Sequence, residues 1–353
     1  MSYKRLILLS VFFYLLMGCN SGQNHKTQSS SPEIDEILLD FYHAESQQRA
    51  GRIISGNVVF RNLINLSEEA NIFRPSTMAY TGDTVVFYDY STNALIKVQE
   101  FKEITSMEVS GRGPGEFLNP VDIKIHHREV YIADSRLAKV SVFDNELNLQ
   151  KDKMLDFLPH RLAAYDEGFL LMNNNFDGEG LFILMDSNGE VTRKFEAGIS
   201  NPAAAFYVQG TIEYANSAFY YGSIGLGVLK KYDTRGELIW TRQTIEDYKL
   251  TPMHISVDGD GMSRVRMHPD RKYRISDMLV NGDLIYVLHS GELRRSAQFL
   301  DVYDAENGEY LETWETEQRL FSITVNEQGE MAALIYDDET EDFLLGYFEL
   351  END

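Results

Sequence analysis

The sequence predicts an all-β fold: a six-bladed β-propeller of four-stranded antiparallel blades, its ring closed by an N-terminal strand. Three observations predict it. Beyond residue 50 the chain runs in β-branched and aromatic stretches punctuated by Gly, Asn and Asp, the texture of strands joined by tight turns. A turn consisting of an aromatic or apolar residue, Asp, two or three residues and then Gly-Glu recurs as MDSNGE (185–190), YDTRGE (232–237) and YDAENGE (303–309), with a degenerate FDNELN (143–148) ahead of them. Its spacing is 42 residues from Asp144 to Asp186, 47 from Asp186 to Asp233, and 71 from Asp233 to Asp304, the last fitting one repeat plus an insertion. Repeats of about forty residues built from strands and turns are the mark of propeller blades.

Taken in order, the chain opens with a leader. Lys4 and Arg5 precede an uncharged apolar run from Leu6 to Met17. That run is shorter than the ~20 residues a membrane-spanning helix needs, and it matches the core of a signal peptide. It ends Leu16-Met17-Gly18-Cys19, which resembles a bacterial lipobox and implies cleavage before Cys19 and lipidation of that residue. Cys19 is the only cysteine among the 353 residues, so it has no disulfide partner within the chain, and lipidation gives it a role. Several acyl chains hold a protein stably on a membrane surface. Residues 1–18 are therefore expected to be removed, and residues 19–50 to form the lipidated Cys, a flexible polar tether (Asn20–Ser31) and a short amphipathic helix with apolar Ile34, Ile37, Leu38, Phe41 and Tyr42. Residues 51–353 form the propeller. No acidic cluster follows the anchor, which favours the periplasmic face of the outer membrane over the cell surface.

The formal net charge is −23. A nucleic acid would be repelled, because such binding rests on neutralising phosphates with Lys and Arg. The expected partners are an envelope protein or an anionic small ligand, with the membrane reached through the lipid anchor. The molecule is expected to be a monomer, and no cofactor is called for.

Six segments fall on the period, at 74–110, 119–155, 158–199, 201–244, 273–315 and 319–350. Most open near a Pro or Arg that leads into an inner strand (RPSTMAY, NPVDIKI, LPHRLAA, NPAAAFY, YRISDML, RLFSITV). Ile53–Leu66 is β-like but belongs to no repeat. It is expected to supply the missing outer strand of the last blade, which would remove an exposed sheet edge. His254–Met267 reads as an insertion or as part of a seventh blade.

The segment 111–144 carries a more specific pattern: Gly111, Gly113, Gly115, Phe117 and Pro120, then Tyr131-Ile132-Ala133-Asp134, then Val140, Val142, Phe143 and Asp144. It resembles one NHL-type propeller repeat. The whole chain is similar to the six-bladed, TolB-like or NHL-like propeller lipoproteins common in Bacteroidetes. That resemblance implies the fold but no catalytic site, since such propellers serve unrelated functions.

GRGPGEFLNP (111–120) is not a phosphate loop. Gly115 breaks the dinucleotide spacing, there is no Gly-Lys-Ser/Thr, and Pro114 and Pro120 oppose a helix start. Arg112 and Glu116 read either as an ion pair or as lining one propeller face. NNNFDGE (173–179) begins like a calcium loop but has Leu184 at the twelfth position, so it reads as a turn. DGDG (258–261) reads as a hairpin turn. His126 and His127, adjacent on a strand, are expected to point to opposite faces and share no metal. There is no G-x-S-x-G motif, and no catalytic residue is assigned. The one local charge anomaly is RVRMHPDRKYR (264–274), where Arg264, Arg266, His268 and Arg271 sit in an otherwise acidic chain; they read first as neutralising acidic loops of their own protein, and alternatively as suiting an anionic group.

The function read from these features is a membrane-anchored, non-catalytic binding or scaffold module. The competing reading is a hydrolase or lyase working in the central channel on glycan-derived or lactone substrates. Acidic and His side chains converging on the axis would favour the enzyme, and an apolar plug would favour the scaffold.

Overall fold

The computed structural model describes residues 43–47, 51–175, 178–196, 202–245, 254–257, 263–266, 274–289 and 297–352. The expected signal sequence, Cys19, the expected tether and the whole of the expected helix over 31–42 lie outside these residues, as do the DGDG turn, His268 and Arg271.

Strand β1 (Ile54–Asn65) and a one-turn helix α1 (Leu66–Ala70) come first. Asn65 caps the helix by accepting the Ser67 and Glu68 N–H groups. Four four-stranded sheets follow, each an antiparallel meander. Blade 1 is β2 (Pro75–Thr81), β3 (Thr84–Asp89), β4 (Ala94–Gln99) and β5 (Glu103–Glu108). Blade 2 is β6 (Pro120–His126), β7 (Glu129–Asp134), β8 (Lys139–Phe143) and β9 (Leu149–Met154). Blade 3 is β10 (Pro159–Tyr165), β11 (Gly168–Asn173), β12 (Phe182–Asp186) and β13 (Val191–Phe195). A short helix α2 (Pro202–Val208) leads into blade 4, made of β14 (Gly210–Ala215), β15 (Ala218–Ser223), β16 (Val228–Asp233) and β17 (Leu238–Gln243). The hairpin β18 (His254–Val257) and β19 (Ser263–Arg266) forms a separate two-stranded sheet. It is an insertion, not a seventh blade.

Blades 5 and 6 share a strand. Blade 5 is β20 (Asp277–Asn281), β21 (Leu284–His289), β22 (Ala297–Asp304) and the first half of β23 (Tyr310–Val325). The second half of β23 is the inner strand of blade 6, followed by β24 (Met331–Tyr336) and β25 (Phe343–Asn352). β1 is the fourth strand of blade 6, antiparallel to β25 from Gly56↔Asn352 to Asn65↔Leu344. Its first residues also pair in parallel with β23, Ile54 opposite Thr313. The expected closing strand is therefore present, and it bridges two blades.

Six apolar clusters hold the ring, one between each pair of neighbouring blades and one between blade 6 and blade 1. Alternation along a strand sends side chains to both neighbours. In β3, Val85 and Phe87 pack toward blade 6 while Val86 and Tyr88 pack toward blade 2. Both faces are thus buried, which is why second strands such as β3, β11 and β24 read as near-continuous apolar runs. The outer strands alternate with solvent instead, as in β5 and β9.

The recurring Asp sits in the turn between third and fourth strands. Asp186 Oδ1 accepts the N–H groups of Asn188 and Glu190, and Asp233 Oδ1 those of Arg235 and Glu237. Gly189 and Gly236, at φ 81° and 79°, supply the left-handed residue. In the degenerate turn Leu147 takes that place at φ 63°. A second buried Asp type closes the turn between second and third strands. Asp134 is fully buried, and its carboxylate accepts four backbone N–H groups, from Leu118, Asn119, Arg136 and Leu137, at 2.7–2.9 Å.

Candidate functional site

The inner strands β2, β6, β10, β14, β20 and the second half of β23 surround the axis. Bulges at Pro120/Asp122, Pro159/Arg161, Pro75/Met78 and Leu320/Ser322 shift their register at the same end. This shift aims Asp122 sideways at both neighbours. Its Oδ1 accepts from Thr77 Oγ1 of blade 1 at 3.1 Å and its Oδ2 from the Leu162 N–H of blade 3 at 2.9 Å. Asp277 does the same between blades 5 and 6, its Oδ2 accepting Ser322 Oγ at 2.6 Å and the Ile323 N–H at 3.0 Å. Arg161 Nη1 donates to Val121 O at 3.0 Å. These buried polar groups clasp blade to blade.

One turn of pleat further along, Lys124 of blade 2 and Glu213 of blade 4 form an ion pair in front of the inner strand of blade 3. Burial pushes the Glu213 carboxyl up to about 7; Lys124 opposes the shift, and Asp277 and Asp122 add to it. For Lys124, burial works against the charge, but Glu213, Asp122 and Asp277 outweigh it and raise its pKa. Glu213 therefore holds its proton more tightly folded than unfolded. Its contribution to stability is fully present below its unfolded value of 4.5 and is lost as the pH rises through 7. Removing the ammonium in Lys124→Met should raise Glu213 further and leave an uncompensated buried carboxylate at high pH. Thermal melts should show the variant about 3 kcal/mol less stable than the parent at pH 8 and much closer to it at pH 5. Equal losses at both pH values would sink this account of the pair.

At the start of β10, His160 Nε2 is buried with no hydrogen-bond partner. Burial, with Arg161 adding, keeps this imidazole well below its ordinary range and hence neutral.

The turns joining first and second strands gather at one mouth of the channel. Here the structure corrects the sequence reading of His126 and His127. β6 ends at His126, and His127 and Arg128 turn at φ 48° and 65°. Alternation stops at the turn, so both rings come to one side. Their centroids lie 4.0 Å apart, and both Nε2 atoms hydrogen-bond Oδ1 of Asp166, in the corresponding turn of blade 3, at 3.0 and 2.7 Å. Tyr214 of blade 4 meets the His126 ring edge-on at 5.8 Å. Burial lowers the His126 pKa against the pull of Asp166. The bonds from His127 and His126 lower that of Asp166.

The residues predicted from sequence lie elsewhere. The loop carrying Arg112 and Glu116 runs from β5 to β6. Glu116 turns back on its own loop and accepts the Gly113 N–H at 2.7 Å, while the Gly115 N–H goes to Asp152 Oδ2 at 3.0 Å. The amides that would cradle a phosphate are occupied by carboxylates. Arg112 is exposed. β19 carries Arg264 and Arg266, opposite Ser256 and His254. In the calcium-like stretch, Asn173 Oδ1 accepts the Asn175 N–H and Asn175 Oδ1 the Leu158 N–H, as a turn requires.

Residues 59–317 match the model of the family described as TolB-like 6-blade propeller-like. No curated protein matches the sequence. Among solved structures, the chain is similar to a Bacteroides fragilis protein described as exported (TM-score 0.56, 10% identity, 88% of this chain and 99% of that one). It is similar too to a DUF4221-family member from Bacteroides vulgatus (TM-score 0.57, 10% identity, 85% and 98%). A catalytically inactive virginiamycin B lyase from Staphylococcus aureus with quinupristin is a third (TM-score 0.51, 12% identity, 84% and 100%). At these identities the likeness is one of fold.

Proposed function

The chain belongs to the TolB-like 6-blade propeller-like family, and from that premise we propose that it is an envelope lipoprotein whose propeller is a non-catalytic binding module. The observation that carries this reading is the state of the channel. It is not an apolar plug, but its acidic groups are engaged. Asp122 and Asp277 clasp neighbouring blades, and Lys124 and Glu213 pair with each other. A general acid or base needs a free face toward substrate. Binding then falls to loops, which vary without cost to the ring. The basic segment with Arg264, Arg266, His268 and Arg271 supplies the chemistry for an envelope protein or an anionic ligand, and the exposed Arg112 adds to it. Cys19 holds the module to the membrane, with the outer membrane's periplasmic face favoured.

Among the described residues of the channel, the competing hydrolase or lyase reading draws on Glu213 at about 7 and on His160, whose buried Nε2 has no partner.

In-cell cross-linking of the natively lipidated protein tests the proposal, with a control carrying Arg264→Glu, Arg266→Glu and Arg271→Glu. A reproducible envelope partner lost in the control is the expected result. A partner kept by the control would move the surface elsewhere on the propeller. Capture of nothing, together with a glycan or lactone turned over by wild type and not by Glu213→Gln, would establish the enzyme instead.

A further inference from the structure

We propose that His126, His127 and Asp166 form a binding site for a divalent transition cation of the imidazole-preferring kind, such as Zn²⁺, at the mouth of the channel. Among the described residues this is the one group of His, Cys, Asp and Glu donors close enough to share an ion, with its ligand atoms all within 4.8 Å of one another. The site is independent of the lipid anchor and of the basic segment.

The geometry is close to what such an ion needs. Zn–N and Zn–O bonds of ~2.0–2.2 Å in a tetrahedron place donor atoms about 3.3 Å apart. Here Asp166 Oδ1 lies 3.0 Å from His126 Nε2 and 2.7 Å from His127 Nε2. An ion held by both Nε2 atoms, with each imidazole carrying its proton on Nδ1 instead, would spread each of these two distances by a few tenths of an ångström. The turn bearing His127 and the turn bearing Asp166 are exposed, so both can give that much. His126 is the fixed member, half-buried against Tyr214. Two imidazoles and one carboxylate select zinc-like ions over Mg²⁺ and Ca²⁺, which prefer all-oxygen sites. The remaining coordination positions face solvent and are free for water or a ligand donor.

Isothermal titration of the purified chain with ZnCl₂ in excess Mg²⁺ tests this, with Co²⁺ absorption as a second readout. One ion per chain is expected, with tetrahedral Co²⁺ bands. His127→Ala and Asp166→Asn should each weaken binding by more than the ~10–100-fold that loss of an outer-shell partner costs. Both residues are exposed, so their metal-free melting temperatures should match the parent and exclude misfolding as the cause. Absence of binding by the parent would overturn the proposal. So would binding that both variants retain, which would place the ion on other histidines such as His25 or His43.

Discussion

Replacing Asp134 with alanine should lower stability by about 4 kcal/mol, the largest loss expected from any single side chain described here. The carboxylate is fully buried and accepts four backbone N–H groups. Two come from the turn between β7 and β8, and two from Leu118 and Asn119, where the Gly-rich loop descends into β6. Alanine leaves all four donors facing a small cavity. Each unmet buried donor costs roughly 1–3 kcal/mol, and entry of water recovers part of it. Asp134→Asn should lose less, because its remaining oxygen still serves one pair of donors while its amide opposes the other. Asp144→Ala is the useful comparison. That carboxylate also accepts backbone N–H groups, from Glu146 and Asn148, but in an exposed turn, where water replaces it and the melting temperature should stay close to the parent's. Thermal unfolding reads the series, with Asp134→Ala melting roughly 10 °C below the parent. A shift within 2 °C would show that the loop holds itself without the carboxylate.

Beginning the chain at Leu66 should prevent the ring from closing. β1 covers β25 along its whole length and fills blade 6 with Val58 and Ile64, both buried. Without it β25 becomes a long unpaired edge, a template for pairing with other chains. The cluster between blades 5 and 6 loses Val58, and the one between blades 6 and 1 loses Ile64. The truncated protein should elute as large oligomers and bind a hydrophobic dye. A synthetic peptide spanning 53–65, added during refolding, should restore a monomer by occupying the vacated position. A truncated chain that stays monomeric and melts like the parent would show that five complete blades and a three-stranded sixth suffice.

The blades were legible in the sequence because their turns demand particular residues. Asp accepts two backbone N–H groups and Gly takes a left-handed φ, so the turn leaves a mark at each repeat. The two segments that lack the mark have physical reasons. Blade 1 joins its last strands through Glu100 and Phe101, at φ 51° and 50° without glycine, and blade 6 takes its last strand from the N-terminus. The channel left no such mark. Lys124 and Glu213 are 89 residues apart, on inner strands of blades 2 and 4 that no short-range spacing relates. The His pair was misread because strand alternation was carried through His127. His-Arg is a poor turn dipeptide, and only the left-handed φ values of His127 and Arg128 reveal that the strand has ended. Glu116 was placed in the right loop, but its preference for the Gly113 amide over Arg112 depends on a fold of that loop that spacing does not show.

The segment ahead of the ring does more than complete it. Glu45 bridges to Arg242 on the outer strand of blade 4. Gln47 donates to Gln243 O and Gly308 O and accepts the Tyr310 N–H of blade 5. β1 then pairs with β23 and β25. Residues 45–47 and 51–65 thus strap the rims of blades 4, 5 and 6 in succession. A pull applied upstream of residue 43 would not peel one edge strand from one sheet. It would load three sheets in series, with the first grip on blade 4, two blades from the seam. The seam, where a propeller is mechanically weakest, would feel tension last.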